Sequence, residues 1–437
     1  MAYAPRQRQY KERWKIILPI LVLICLLIYM MVGYFFPEEV KEEQRFTVCG
    51  LSEEKTLEVL SKSYKDTIEV KDYFYYGESL NLYQDTYSVE KTDTLSGKTI
   101  ELRNVCTDET ISMTMENTID QKLVLDEIPE GFYEVFIMDN LVKKRVVFDR
   151  VLDENEFFTA KRNNKVNRIS LIADNNLLHE YGKVLDQNYL FLDIQQQAPS
   201  DDEIDVLIDP YGMNTDLTWL PDEGAKVNGL VENDEMYYAA TLMKKELEQN
   251  YGLRVEITKQ SKDEEGKAYG EDGRLAQGYK KHAKYYLFLR FNNAIDDSYR
   301  GFEIMHSAYV SRTLARNITY DLEKNLNLDL SEVYLSRDPG IVTCLFAEGL
   351  DGKLIYDSNL YLRESGGRGT MAARYSENSQ TENKSFKNEN GMLGLEIDFA
   401  YISNKEDAKQ WKKSKDKIII ETARAFAEGI NASHTTK

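Results

Sequence analysis

From Ile16 to Phe36 the chain runs for 21 residues without a charged side chain. At about 1.5 Å of rise per residue, that length matches the roughly 30 Å hydrocarbon core of a bilayer. The segment therefore reads as one transmembrane helix. Before it stand Arg6, Arg8, Lys11, Arg13 and Lys15 against Glu12, and after Pro37 come Glu38, Glu39, Glu42 and Glu43. Basic flanks stay on the cytoplasmic side, so residues 1–15 are expected to be a cytoplasmic tail and everything after residue 40 to be extracytoplasmic. A cleaved signal peptide would have a shorter apolar core ending in small residues. Tyr34, Phe35, Phe36 and Pro37 offer no such site.

Charge narrows the partners. The 437 residues carry 74 Asp and Glu against 55 Lys and Arg, a formal charge of -19; setting aside the net +4 of the first fifteen residues leaves -23 on the rest. Such a field repels phosphate backbones and argues against nucleic acid as a partner. With 8 prolines and 24 glycines there is no Pro-rich or Gly-rich tether, and most of the chain is expected to fold. Of the four cysteines, Cys25 falls in the apolar segment, Cys49 and Cys106 in the first outer stretch, and Cys344 in an apolar run. An extracytoplasmic location permits a Cys49–Cys106 disulfide, but free buried thiols fit the same positions. The absence of a CxxC or Cys/His cluster excludes a zinc knuckle.

Residues 37–70 read as a stalk, with a helix around Glu53–Lys65 that places Leu57, Leu60 and Tyr64 on one face. Beyond Asp72 the apolar period changes to two. Tyr73–Tyr76, Leu80–Tyr83, Thr99–Val105, Ile111–Met115, Leu123–Leu125, Tyr133–Met138 and Lys144–Phe148 are short runs rich in β-branched and aromatic residues, separated by polar turns. Arg168–Ala173 and Tyr189–Ile194 continue the series. The pattern predicts an all-β sandwich of immunoglobulin-like type over 71–200, with Pro129 and Gly131 at a corner between two strands. It contains no visible catalytic constellation.

From Ile204 the grammar becomes strand, loop, helix. Ile204–Ile208 is an apolar run of the kind buried on both faces. Met236, Tyr237, Ala240, Met243 and Leu247 recur at helical spacing from Glu235 to Gln249, and Gly252 stops the helix. Leu253–Thr258, Tyr285–Phe291, Ile341–Phe346 and Leu393–Phe399 read as further strands, and Ser307–Leu326 as a helix. Ser403 and Glu406 have capping-box spacing before a last helix striped by Ile419, Ala423, Phe426 and Ile430. Alternating strands and helices predict an α/β domain with a mostly parallel sheet over 203–431. Between Glu364 and Gly391 the chain is rich in Gly, Ser, Asn and Glu, which predicts an exposed, mobile loop. P-loop, GxGxxG, GxSxG and HExxH motifs are absent. Arg363–Gly369 (RESGGRG) lacks the helix that an anion-binding turn requires.

The landmarks of this half, in order, resemble those of a known family, the zinc-dependent N-acetylmuramoyl-L-alanine amidases. Val206–Gly212 (VLIDPYG) resembles their first strand and DPGHGG turn. Gly229-Leu230-Val231-Glu232, the Met236–Leu247 helix and Gly252-Leu253-Arg254-Val255 resemble their G-L-x-E, long helix, G-x-x-V passage. Tyr285–Ala294 (YYLFLRFNNA) is similar to the strand ending in SIHANA, and Gly301-Phe302-Glu303 with Ser307 to the stretch after it. Ile402-Ser403-Asn404-Lys405-Glu406-Asp407, with the helix ending at Gly429-Ile430, is the most specific match.

The resemblance implies cleavage of peptidoglycan between the lactyl ether sugar and its stem peptide. Three protein ligands would hold zinc with a fourth position open to water, and a nearby carboxylate would take the water's proton. Position by position, the first histidine falls on Gly212, the ligand glutamate on Glu232 and the second histidine on Phe291. The catalytic glutamate falls on Asp398, or on Glu396 if two residues were inserted at that strand end. Two of the three ligand positions thus lack a donor. Glu232 also reads simply as a carboxylate at a helix N-terminus, whereas an acidic pair inside the apolar run Met392–Phe399 needs a partner or an open pocket. Among His179, His282, His306 and His434, the candidate substitute ligand is His306, which otherwise reads as a capped or solvated residue at a helix start.

The sequence therefore predicts a single-pass membrane protein, anchored through residues 16–36. Its extracytoplasmic amidase-like domain is degenerate, needs no cofactor, and binds peptidoglycan peptides or an envelope protein in cell-wall assembly or remodelling. Two other readings compete with it. One is an active peptidoglycan amidase with zinc on a rearranged site of Glu232, Asp398 or Glu396, and His306; the other is a structural component of a membrane complex.

Overall fold

The computed structural model divides into two units, Met1–Thr47 and Val48–Lys437. It describes residues 17–24 and 45–435, apart from 77–78, 86–94, 96–97, 115–122, 125–127, 159–165, 199–201, 217–219, 308–311, 333–337, 345–346, 349–353, 356–358, 367–384, 386–391 and 431. In the first unit, residues 17–24 are helical with exposed side chains. The tail 1–15 and the rest of the expected membrane segment 16–36 lie outside the described residues. Among the described residues, no helix is long and apolar enough to cross a membrane.

The second unit starts folding at once, where a stalk was expected. Cys49 and Cys106 form a disulfide across 57 positions. The helix spans only Glu53–Leu60; Ser52 caps it by accepting from the Lys55 N–H, and Thr56 and Leu60 are buried. Tyr64, expected on the helix, lies beyond it and donates to Glu134 at 2.7 Å. Thr67–Val70 then pairs in parallel with Val142–Phe148. Residues 48–70 belong to the β region because their apolar side chains and backbone groups find partners there.

A nine-stranded sheet dominates the β region. Its path runs Thr67–Val70, Val142–Phe148, Gly131–Asp139, Phe191–Gln197, Val166–Ala173, Leu152–Phe158, and Thr99–Asn104 also joins Gly131–Asp139. Asp72–Tyr76, Ser79–Tyr83 and Leu123–Val124 form a separate three-stranded sheet. Tyr73, Leu80 and Leu82 from the small sheet share one buried core with Ile100, Val135, Ile169 and Leu192. The expected strands are present, but a sandwich of two comparable sheets is not shown. At the expected corner, the Tyr133 hydroxyl donates to the Pro129 carbonyl at 2.7 Å.

In the α/β region, β1 (Val206–Pro210), β2 (Val255–Ile257), β3 (Tyr285–Asn292), β4 (Glu303–Ser307), β5 (Ile341–Cys344) and β6 (Leu393–Tyr401) form one sheet in the order β2-β1-β3-β6-β4-β5. Every ladder is parallel except β4 on β6, so the sheet is mixed and its last two strands run backwards. The helices are α1 (Glu232–Tyr251), α2 (Ala276–Lys280), α3 (Thr313–Leu326), α4 (Leu360–Gly366) and α5 (Lys405–Gly429). Three of them set apolar stripes on one face of the sheet: Met236, Met243 and Leu247 of α1, Ile318 and Leu322 of α3, and Ile419, Ala423 and Phe426 of α5. There they share a core with Val206, Ile208, Leu287, Leu289, Leu395 and Ile397. Gly252, at φ +64, closes α1 with its N–H on the carbonyls of Leu247 and Glu248.

Three local expectations are corrected. Glu303–Ser307 is strand, held between β6 and β5, so the helix expected from Ser307 starts only at Thr313. The cap of α5 is Asn404, whose side chain accepts from Glu406 and Asp407 N–H at 2.9 and 3.1 Å; Ser403 instead accepts from the Ala294 N–H at 3.1 Å. Within the stretch expected to be an exposed loop, Glu364–Gly366 ends a helix and is buried, and the Glu364 carboxylate accepts from the N–H of buried Ser385 at 2.7 Å. A polar composition hid these contacts. Most of the residues between 367 and 391 lie outside the described set.

Candidate functional site

Alternate residues of a strand point to opposite faces, and the face turned away from α1, α3 and α5 carries both an apolar cluster that includes Leu207, Tyr286 and Phe288 and a set of buried charged side chains. Strand register lines up Asp209, Phe288, Glu396 and Met305 across β1, β3, β6 and β4, with Arg290, Asp398 and Glu303 in the next row. Glu303, Glu396 and Asp398 are each at most 1% exposed. Arg290 stands among them: Nη1 is 3.4 Å from Glu396 Oε1, Nε is 3.4 Å from Asp398 Oδ1, and the guanidinium lies 5.3 Å from the centre of the Tyr211 ring.

The three carboxylates are not equivalent. The second oxygen of Glu396 accepts from Asn359 Nδ2 at 2.6 Å. Glu303 accepts from Asn292 Nδ2 and from the Tyr401 hydroxyl. Neither oxygen of Asp398 accepts a hydrogen bond from any described residue. Burial, reinforced by the neighbouring Glu396 charge, holds the Asp398 carboxyl well above the usual range, and Arg290 only partly offsets this. Burial also raises Glu303. For Arg290, burial disfavours the charge, but Asp398, Glu396 and Glu232 outweigh it and raise its pKa.

Glu232, the first residue of α1, has both oxygens committed to backbone. Oε2 accepts from the Ala225 N–H at 2.9 Å and Oε1 from the Phe291 N–H at 2.8 Å. Burial raises its pKa, while those two N–H groups and Arg290 pull the other way. The Phe291 side chain points to the helix face, edge-on to Trp411 at 5.0 Å. Gly212 has φ +117, and a Cβ built there would lie 2.4 Å from Asn233 Oδ1. Asn233 is fixed in turn: its oxygen accepts from Lys259 Nζ at 3.0 Å, and its amide donates to the Lys262 carbonyl at 2.9 Å. Lys259 is buried and also donates to the Gly212 carbonyl at 3.1 Å. Burial, then the nearby Arg274, push its ammonium down to about 8.

His306 shares the parity of core residue Ile304, so it lies on the helix face, opposite to Glu396 and Asp398, with Nε2 2.9 Å from Thr343 Oγ1. It is a strand residue and not, as expected, one at a helix start. The structure thus gathers Glu396 and Asp398 in one cluster beside Glu232, and keeps His306 and the Phe291 ring on the other side of the sheet. These residues do not fit zinc. Each oxygen of Glu232 already accepts a backbone N–H, position 212 has no room for a side chain, Phe291 offers an apolar ring, and a guanidinium lies among the carboxylates. Among the described residues, no three His, Cys, Asp or Glu side chains converge in a way that could hold a metal ion. A small cleft lined by Phe302, Phe399, Asp407 and Trp411 lies on the helix side, and Glu232, Glu303, Glu396 and Asp398 are not among its lining residues.

Arg290 and Lys259 escape a reading based on family motifs. For Arg290 a physical signal exists: a cation at every-other spacing inside the apolar run YYLFLRF needs a buried counter-charge, and the Glu396/Asp398 run needs a partner of its own. Lys259 gives no such signal, because its acceptors are a backbone carbonyl and an amide.

No family model matches the sequence. No curated protein matches it either. Among solved structures, the chain is similar to the catalytic domain of CwlV, an N-acetylmuramoyl-L-alanine amidase from Bacillus (Paenibacillus) polymyxa var. colistinus, at 14% identity over 52% of this chain and 98% of that one, with a TM-score of 0.35. It is similar to the N-acetylmuramoyl-L-alanine amidase AmiC2 of Nostoc punctiforme at 17% identity, covering 53% and 97%, with a TM-score of 0.34. The CwlD amidase from Clostridioides difficile, solved in complex with the GerS lipoprotein, gives 14% identity, coverage of 52% and 97%, and a TM-score of 0.34. At these values the likeness assigns no role to any residue.

Proposed function

We propose that this protein is a single-pass membrane protein whose extracytoplasmic α/β region is a catalytically degenerate amidase-like module, which binds peptidoglycan peptides or an envelope partner in cell-wall assembly or remodelling. The order of motifs along residues 204–431 supports the wall-directed part. One observation carries the non-catalytic part: Asn233, braced by Lys259, fills the space that a side chain at position 212 would need. Glu232 then serves the fold, joining the Ala225 loop to the end of β3. The active-enzyme reading requires a substitute ligand near Glu232, and His306 on the opposite face does not supply it.

The test uses the full chain purified in detergent. The reading expects zinc far below one equivalent, no release of stem peptide from purified muropeptides with any added metal, and co-sedimentation with wall sacculi or a fixed crosslinked partner in cells. Stoichiometric zinc, or hydrolysis abolished by Glu232→Gln, would overturn it.

A further inference from the structure

We infer that the first half of α5 is a lysine ridge that docks the α/β region on the anionic phospholipid headgroups of the membrane in which the chain is anchored. The inference rests on the membrane-anchored reading above and goes beyond it, because it says which face meets the bilayer. Lys405, Lys409, Lys413 and Lys417 recur at every fourth residue, so they form one row about 18 Å long on the helix surface. All four are exposed. Lys412 is exposed on the flank of the row, where its ammonium donates to the Asn228 carbonyl at 2.6 Å. Residues 405–417 hold six lysines against Glu406, Asp407 and Asp416, in a chain whose formal charge is -19.

The rival account is an ordinary solvated helix face. Such faces gain from opposite charges three or four residues apart, and this chain builds them elsewhere. Arg424, in the second half of α5, pairs with Glu421 and Glu428, and Lys244 of α1 pairs with Glu248. The lysine row does the reverse. Each of its three steps sets like charges at i, i+4, which weakens a helix, and Lys405, the first helical residue, stands at the positive end of the macrodipole. Lys409 has Glu406 at 3.8 Å, whereas Lys405, Lys413 and Lys417 make no ion pair or hydrogen bond with any described residue. The fold gains nothing from the row, but an external anionic surface would neutralise it.

The choice of cation indicates the kind of anion. A defined phosphate or carboxylate site favours the planar fork of arginine. Lysines alone, as compact charges on flexible stems along a convex ridge, suit a flat and fluid layer of headgroups better than a single bound ion. An anchor in the same membrane keeps that layer at high effective concentration. Screening over about 8 Å at physiological salt hides the acidic remainder of the chain from the contact. Each lysine at an anionic leaflet then strengthens the attraction about fivefold.

Amine labelling of the full chain in lipid nanodiscs, read lysine by lysine by mass spectrometry, tests the inference. The discs are phosphatidylcholine alone, or the same with about a third replaced by phosphatidylglycerol. In the anionic discs Lys405, Lys409, Lys413 and Lys417 should label at least about threefold more slowly, and high salt should restore the rate. Lys280 of α2, exposed on the opposite face of the sheet, should label alike in both. Lys412 should be slowed in the parent and should label alike in both discs in K405Q/K409Q/K413Q/K417Q. Equal rates for the four lysines in the two discs, or a Lys412 slowed as much in the variant as in the parent, overturn the inference. Slowing by long-chain polyphosphate in neutral discs, without slowing by phosphatidylglycerol, would assign the row to a soluble polymer and overturn it too. A chain that stays out of neutral discs refutes the anchor instead. Sedimentation with phosphatidylglycerol vesicles then decides the docking by itself, co-sedimentation supporting it and a chain left in the supernatant overturning it.

Discussion

Gly212→Ala is the smallest change that probes the closed position. The alanine must hold φ near +117, a conformation that costs a residue with a Cβ about 1–3 kcal/mol. Its Cβ would sit 2.4 Å from Asn233 Oδ1, so Asn233 must move. That breaks its bonds with Lys259 Nζ (3.0 Å) and the Lys262 carbonyl (2.9 Å), each worth about 0.5–1.5 kcal/mol. The sum is a loss of about 2–6 kcal/mol, a large part of the roughly 5–15 kcal/mol that holds a typical domain. Urea unfolding of G212A, N233G and the double variant measures it. With the Asn233 side chain gone, G212A should cost only the backbone part, so the two changes must couple by at least about 1 kcal/mol. Equal costs in both backgrounds, or a G212A protein within about 0.5 kcal/mol of the original, would refute the steric argument. Histidine brings the same Cβ, so Gly212→His is expected to destabilise the protein as well.

Three further outcomes are expected. Because the folded pKa of Asp398 lies above its unfolded value, its stabilising contribution is complete below about pH 4 and is lost as pH rises through the folded value. Asp398→Asn should therefore be more stable than the parent at pH 8 and should flatten stability against pH by up to about 1.4 kcal/mol per unit; an unchanged slope in pH-dependent urea melts rejects this. Lys259 behaves in the opposite sense: its folded pKa of about 8 lies below the ordinary 10.5, so folding gains stability as pH rises between them. Lys259→Met should remove that gain, and a variant that keeps the parent's rise between those values would count against the buried-amine assignment. Reducing the Cys49–Cys106 disulfide frees a loop of 57 positions, which loop-closure entropy values at about 4 kcal/mol; a reductant-insensitive urea midpoint would contradict it.

Periodicity revealed the α/β region well because its strands and helices bury one face each: the stripes on Met236–Leu247 and Ile419–Ile430 and the apolar runs at Ile204 and Tyr285 left little freedom. It failed where a residue's environment comes from distant chain. His306 and Ser307 looked like a helix start because β5, which pairs with them, lies more than thirty positions later. Thr67–Val70 was missed for a similar reason, since its partner Val142–Phe148 comes long after it. Alternation put Glu396 and Asp398 on the same face of one strand, where the structure has them. What the site holds could not be counted, because the roles of Asn233 and Arg290 follow from contacts between elements and not from spacing within one.

One carboxylate on the helix side has leverage over a cluster it never touches. Asp407, in the first turn of α5, accepts from the Gly301 N–H at 2.8 Å and from the Tyr401 N–H at 2.9 Å, pinning the entry of β4 and the exit of β6 to a single oxygen. Those strands run in opposite directions, so Glu303 and Asp398 each sit close to a pinned end. The alignment of the acidic row is thus inherited from a helix terminus on the far side of the sheet. A chain that loosened there would scramble its charges without altering any of them.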